Sequence, residues 1–407
     1  MTQTLESTIQ APEAGPAIST CPACGHGKAT VFHRVTGAPT NSCILWETPE
    51  EAKAAQTGEV ALGFCDSCGF IWNTAFRADI VEYSGRYEET QGFSGTFNAF
   101  HHALATRLIE KHDLHGKTVL EIGCGKGEFL MLLSELGGNR GIGIDPGVHP
   151  ERLTGEAAER VTLIPDFYSE KYSDHDVDFV ACKMTLEHII EPFDFVSTVR
   201  KGLAHRTESV VFFQIPETLR ILRHCSFEDI YHEHCAYFTP GSVSRLFAAA
   251  GFRDFDLTVE YDSQYLTIEA RPNPKGAPPA QASTADMDEL RELVGSFPAR
   301  MAAKMQMWRE RLEAWRREGK RVVIWGSGSK AVSFLTSFGS FGDVSHAVDI
   351  NPYRQGAFIP VTAQPIVAPA DLVDIKPDIV VVMNAIYERE IRESLASMGL
   401  APEIYSL

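Results

Sequence analysis

Between about residues 97 and 270, short runs rich in Val, Ile, Leu and Phe alternate with stretches of helical period, the pattern of a parallel sheet wrapped by helices. "TVLEI" (Thr118 to Ile122) reads as a buried strand, the stretch after Gly127 as an amphipathic helix, and "GIGID" as a second strand ending at Asp145. "VDFVACK" and "SVVFFQIPE" supply strands four and five. "TPGSVSRLFAAAGF" then carries Val243, Leu246, Phe247 and Ala250 at helical spacing, with Gly251 as a stop. "RPNPKGAPPAQAST" breaks the pattern with four prolines and reads as a linker. Beyond it, "MDELRELVGSFPARMAAKMQMWRERLEAWRREGK" predicts a helix pair, or one long helix interrupted near Pro298. A second β/α series runs from Arg321 to Leu407. The first 75 residues or so show no long helical period.

Composition narrows the function classes. The net charge of -17 is spread without basic runs. A nucleic-acid surface needs clustered Lys and Arg to displace counterions, so no nucleic-acid partner is expected. No apolar run reaches the about 18 residues that cross a bilayer, and "MTQTLESTIQAPEAGPAIST" lacks the apolar core of a signal peptide. No membrane partner is expected either, and the chain reads as cytoplasmic with a disordered N-terminus over residues 1–18. Nine cysteines, an odd number, point to metal or free thiols before disulfides. "CPAC" (Cys21, Cys24) and "CDSC" (Cys65, Cys68) each set two thiolates on a tight turn, and together they supply the four ligands of a closed, structural zinc site. The intervening 40 residues exceed the usual finger spacing, and Cys43 can stand in for one ligand.

The loop after the first strand decides the ligand of the middle segment. Asp145, at a second strand end, is where doubly wound folds hydrogen-bond a ribose diol. Dinucleotide binding wants G-x-G-x-x-G and a free helix N-terminus for pyrophosphate. This loop is instead E-x-G-x-G-x-G, with Gly123, Gly125 and Gly127 behind the Glu121 carboxylate. A negative charge there suits a ligand carrying an ammonium and a sulfonium better than one carrying phosphates. No Lys-Ser/Thr pair follows Gly127, which excludes a Walker loop.

On these residues the chain resembles the class I S-adenosylmethionine-dependent methyltransferases, whose first motif is matched by Glu121 to Gly127 and whose ribose-binding acid is matched by Asp145, followed by Pro146. "LIPDFYS" fits the next motif, with Asp166 and Phe167 placed to meet the adenine. The resemblance implies S-adenosylmethionine as cofactor.

"FEDIYHEHCAYFTPGSV" (residues 227 to 243) crowds Tyr231, His232, Glu233, His234 and Tyr237 together beyond strand five. Ligands in open α/β sheets lie outside the carboxyl ends of strands, so this segment, with Glu187 and His188 after strand four, borders the cofactor crevice. Three uses are open: a metal site through H-x-H, histidines bonded only to backbone, or proton transfer. Proton transfer is favoured. A carbon beside a ketone must lose a proton before it attacks a methyl sulfonium, and the charge on the oxygen must meet a donor. Histidine titrates near working pH and serves as the base, while Glu233 can fix a histidine tautomer.

Knuckles, core, "YHEHCAYF" and a second Rossmann-like segment together resemble the bacterial sugar C-methyltransferases that act on nucleotide-linked 4-keto-deoxyhexoses. The resemblance runs from Cys21 to the end of the chain. It implies an α/β protein: a small zinc-binding domain (19–80), a class I methyltransferase core (81–272), a linker (273–284) and a C-terminal Rossmann-like domain (285–407). It places the base at His234 with Tyr231 and Glu233 beside it, and His188 with Tyr231 at the enolate oxygen. Tyr83 and Tyr87 match a loop that closes over cofactor and substrate, with His232 as a further substrate contact. In the last segment Gly326, Gly328 and Lys330 of "GSGSKA" form a dinucleotide-like fingerprint followed by Asp349; the resemblance implies that this domain binds the nucleotide sugar and carries no redox cofactor of its own. Two stretches depart from the family. "EYDSQYLTIEA" stands where a glycine-rich H-G-G-S is usual, and "IPVTAQPI" replaces a glycine-flanked threonine, so the substrate is expected to differ from the familiar deoxysugars. Methylation of oxygen or nitrogen, a non-catalytic nucleotide-sugar binding protein and an NAD-dependent enzyme are the alternatives.

Overall fold

The computed structural model describes residues 20–84, 86–173, 175–278, 281–339 and 343–407. The expected disordered N-terminus, 1–18, lies outside them. In the N-terminal part, β1 (Ala29–Pro39), β2 (Thr57–Cys65) and β3 (Ile71–Asn73) pair antiparallel. β2 runs into the second cysteine knuckle, and β3 leaves it.

The middle sheet is built from β4 (Thr118–Ile122), β5 (Arg140–Ile144), β6 (Val161–Ile164), β7 (Phe179–Lys183) and β8 (Val210–Pro216), all parallel. Successive side chains of a strand point to opposite faces. Leu120, Ile122, Ile142, Ile144, Val180, Cys182, Val211 and Phe213 therefore share one core, with Val243, Leu246 and Phe247 of the helix Pro240–Ala249. Val119, Phe179, Ala181, Val210 and Phe212 share the other, under the helices Gly95–His112 and Glu128–Gly137. Both faces are apolar, so both are covered by helices. After a two-residue strand β9 (Ala236–Tyr237) come β10 (Phe252–Glu260) and β11 (Tyr265–Pro272), which pair antiparallel and complete the order β10-β11-β8-β7-β4-β5-β6. The order reverses at β4, and the crevice opens beyond the carboxyl ends of β4, β5 and β7.

β9 belongs to the other sheet. It adds to the edge of β3, pairing Ile71 with Tyr237 and Trp72 with Ala236. The segment carrying Tyr231 and His234 is thus anchored on the cysteine-knuckle sheet.

The C-terminal part is a five-stranded parallel sheet of β12 (Val322–Trp325), β13 (Val344–Val348), β14 (Ile366–Val367), β15 (Ile379–Val382) and β16 (Glu403–Ser406), in the order β14-β13-β12-β15-β16. The break expected near Pro298 is absent: one helix of 31 residues, Met287–Arg317, passes through it. A proline removes one helical N–H and crowds the preceding turn. Val294, Phe297, Met301 and Met305 on both sides are buried in a single core shared with Phe32 and Leu62 of the first sheet and Ile324 and Val381 of the third. Packing carries the helix across the proline. Phe297, fully buried and edge-on to Phe32 at 5.5 Å, is the centre of this junction, so Phe297→Ala is expected to lower stability by about 3–5 kcal/mol in urea denaturation.

Candidate active site

The chain leaves β4 through Gly123, Gly125 and Gly127, all in the left-handed region at φ of +68°, +52° and +79°. A side chain at Gly123 would overlap Thr185, and one at Gly125 would overlap the Glu89 carboxylate. Asp145 holds the loop by accepting from the Gly125 N–H (3.1 Å) and the Gly147 N–H (2.6 Å). Glu121, 3% exposed, has one carboxylate oxygen without a partner. Burial pushes its carboxyl up to about 7, against the pull of the Lys183 ammonium. These groups line a cavity of about 580 Å³ that also takes in Pro146, Asp166 and Phe167. Asp166 accepts from the Tyr172 hydroxyl (2.6 Å) and pairs with Lys171, which draws it down to about 2. Phe167 is 62% exposed, an aromatic face left open at the rim.

His234, His188 and Tyr231 reach the same cavity. The His188 and His234 rings lie edge-on with centroids 4.8 Å apart, and Tyr231 lies 4.1 Å from His234. Burial lowers His188 to about 4 and holds His234 well below its ordinary range, so both imidazoles are neutral at working pH. His188 Nδ1 is 3.0 Å from the Tyr83 hydroxyl and 3.0 Å from the Glu233 carbonyl. A carbonyl only accepts, so the proton belongs on Nδ1 and Nε2 presents a lone pair. Beside them Glu187, 1% exposed, has both oxygens unpartnered, and burial pushes it up to about 8. Its carboxylate and the two imidazoles bring one ligand atom each within 4.8 Å of one another.

A second cavity of about 340 Å³ lies between the middle and C-terminal parts, lined by Gly326 to Ala331, Asp349, Arg354, Tyr265 and Tyr387. Cys43, Glu89, Thr90, Gln91, Met184, Tyr231 and Ser329 line both cavities. The two spaces therefore meet at Tyr231.

Residues 97–257 match the family described as a methyltransferase domain, and residues 280–401 the family described as a C-methyltransferase C-terminal domain. The C-methyltransferase NovU of Streptomyces niveus is 24% identical over 331 residues, spanning 75% of this chain and 76% of NovU. The chain is an S-adenosylmethionine-dependent methyltransferase, similar to C-methyltransferases in both of these segments. A ubiquinone biosynthesis O-methyltransferase of Actinobacillus pleuropneumoniae serotype 7 (strain AP76) is 29% identical over 142 residues, 31% of this chain and 59% of that protein. Among solved structures, magnesium protoporphyrin IX methyltransferase (ChlM) from Synechocystis PCC 6803 with bound SAH is similar at 17% identity and a TM-score of 0.33, over 44% of this chain and 84% of that one.

Three residues of this methyltransferase sit differently from their expected roles. His232 turns away from the cavities, fully buried, its ring 5.2 Å from Phe76 and packed on Gly58. Residues i and i+2 share a face only on an extended chain, and the backbone turns at 232–233. The Glu233 carboxylate faces no histidine; it accepts from the Ser42 N–H (3.1 Å), the Ser42 hydroxyl and the Tyr87 hydroxyl (3.0 Å). Its backbone carbonyl, not its side chain, sets the His188 tautomer. Lys330 lines the second cavity, but its ammonium is bound 2.6 Å from both oxygens of Asp229, which also pairs with Arg220. Sequence reasoning missed Glu89, Arg354, Lys183 and His101 as site residues, and none of them lies in a recognised motif. It places Glu187 at the crevice beside His188 but gives it no role.

The four knuckle sulfurs of the methyltransferase form one cluster, with Cys21 and Cys68 3.7 Å apart and Cys24 and Cys65 3.8 Å apart. A tetrahedral ion with sulfur at about 2.3 Å has edges of about 3.8 Å, so the set fits such an ion. On the loop, Gly125→Ala meets both the left-handed φ and the Glu89 carboxylate. It is expected to weaken S-adenosylhomocysteine binding at least about 10-fold by titration calorimetry, with the circular dichroism spectrum unchanged.

Proposed function

We propose that this methyltransferase alkylates a carbon next to a ketone, on a nucleotide-linked keto-deoxysugar, with His234 as the base. The observation that carries this reading is the meeting of the two cavities at Tyr231, beside His234: one holds the glycine loop, the other runs to the C-terminal fingerprint. The C-terminal end suits a diphosphate. The helix Ser329–Phe338 presents its N-terminus there without a side-chain cap, and buried Arg354 donates to the carbonyls of Glu88 and Ser327 and not to a carboxylate. NovU, a C-methyltransferase, supports the carbon as acceptor.

S-adenosylmethionine, held by Glu121, the glycine loop and Asp145, supplies an electrophilic methyl group. The chain's own residues prepare the carbon. His234, neutral because of its burial, takes the α-proton. The Tyr231 hydroxyl, which burial keeps protonated, donates to the oxygen on which charge develops. His188, with its proton on Nδ1, offers a lone pair and no donor, so we assign the oxygen to Tyr231 and make His188 a second proton acceptor. An imidazolium formed in this dry site needs a counter-charge, and Glu187 supplies it when ionised.

The knuckle ion we take to be zinc, with a structural role because four thiolates leave no open position. All nine cysteines are free, which fits a reducing compartment, and we assign the protein to the cytoplasm.

The reaction is tested with a panel of nucleotide-linked 4-keto sugars and labelled cofactor, reading the new methyl by NMR; an O-methyl resonance would sink carbon alkylation. Solvent deuterium exchange into the α-position, without cofactor, isolates the base. His234→Ala is expected to slow it about 10²–10⁴-fold. Exchange in the wild type is expected to rise with pH through about 8 as Glu187 ionises, and Glu187→Gln to flatten that limb. Retained exchange in the His234 variant reassigns the base to His188. A strong chelator is expected to remove about one zinc per chain and lower the melting temperature and the exchange rate together, because β9 loses the sheet that holds it.

A further inference from the structure

The cofactor cavity holds two charged side chains that proton transfer does not use. Glu121 stands near the end of β4 and Lys183 at the end of β7, the neighbouring strand, where Glu121 is paired with Ala181. Glu121 has an oxygen without a partner. The Lys183 ammonium donates to His101 Nε2 at 2.5 Å and sits 4.2 Å over the Phe129 ring. His101, on the helix Gly95–His112, is 6% exposed and neutral, held far below its ordinary range first by burial and then by Lys183. It takes one ammonium proton and aims the group.

Among the described residues no direct salt bridge is seen for either group, although the two attract each other across the cavity. The other lysine lining this cavity, Lys126, is spent on the carbonyls of Tyr87 (2.8 Å) and Gly147 (3.1 Å). Buried charges are kept only where something pairs with them. Two opposite charges without a salt bridge, on adjacent strands of one cavity, match a ligand that carries both signs close together, which is what the α-amino-acid end of the cofactor does. We infer that Lys183, oriented by His101, binds the α-carboxylate of S-adenosylmethionine while Glu121 takes its α-ammonium. The inference rests on the cofactor alone and stands or falls independently of the sugar.

The burial that pulls the Lys183 amine down to about 8 gives the site a pH signature. The wild type is expected to bind S-adenosylhomocysteine at least about 10-fold more tightly than its decarboxylated analogue at pH 7, and to lose that preference as pH rises past 8. Lys183→Met is expected to weaken S-adenosylhomocysteine about 10-fold or more by titration calorimetry, while leaving 5′-methylthioadenosine, which has no amino-acid end, within about 2-fold. Lys183→Arg is expected to retain most of the preference. Equal losses for both ligands, unchanged S-adenosylhomocysteine affinity, or a wild type indifferent to the carboxylate would each overturn the assignment. The wild-type comparison decides the matter even where the methionine variant does not fold.

Discussion

Two residues of backbone pairing, Ile71 with Tyr237 and Trp72 with Ala236, join the sheet of the cysteine knuckles to the segment that carries His234. β3 begins three residues after Cys68, and His234 lies two residues before β9. The Asn73 N–H donates to the Cys235 carbonyl (2.9 Å), extending the ladder to the edge of the site. A two-residue strand has almost no stability of its own, so the position of His234 depends on the sheet it joins. The C-terminal part closes the arrangement. The Ser42 hydroxyl, on the N-terminal part, contacts the Ser329 hydroxyl at 2.6 Å and donates to Glu233, so all three parts of the chain meet behind the site.

Burial is the second constraint, and it acts on several of the site's titratable groups at once. The same dry surroundings that keep His188 and His234 neutral push Glu121, Glu187 and Glu89 upward. A site in which bases are uncharged and acids are partly protonated has little net field of its own. It is poised for a ligand that brings charge, a sulfonium and a zwitterionic end.

What could be read from the chain was whatever depends on near neighbours. β4 spans the predicted Thr118–Ile122 because strand period is local, and the three loop glycines take left-handed φ because the turn between strand and helix demands it. The two knuckles and the neighbourhood of His188 and His234 were legible for the same reason. His232 was not. It looks equivalent to His234 until the turn at 232–233 and the space left by Gly58 are known, and Gly58 is far away in sequence. Glu233 needed Ser42, and Lys183 needed His101, contacts that no spacing rule contains. Pro298 reads as a break on propensity alone, and only a core shared by two sheets overrides it.

The departure at "YDSQ" has a structural counterpart. Tyr261, Asp262 and Ser263 all adopt left-handed φ, at 55°, 55° and 59°, where glycine would be relaxed and other residues cost about 1 kcal/mol each. Cross-domain contacts hold them there. The Tyr261 hydroxyl donates to the Tyr387 hydroxyl at 2.7 Å, and the Gln264 and Asn384 amides exchange hydrogen bonds of 3.0 and 2.9 Å. Tyr387 in turn donates to Gln91 at 2.7 Å, on the loop that carries Tyr83 and Tyr87. A flexible glycine turn would leave this wall of the second cavity open to adjust to its ligand. Here the wall is a strained turn bolted to the C-terminal domain and to the tyrosine loop, so the space for substrate is set before substrate arrives. Selectivity among substrates then follows from the fixed shape between Gln264, Tyr265, Asn384 and Tyr387, and the strain is the cost of that fixed shape.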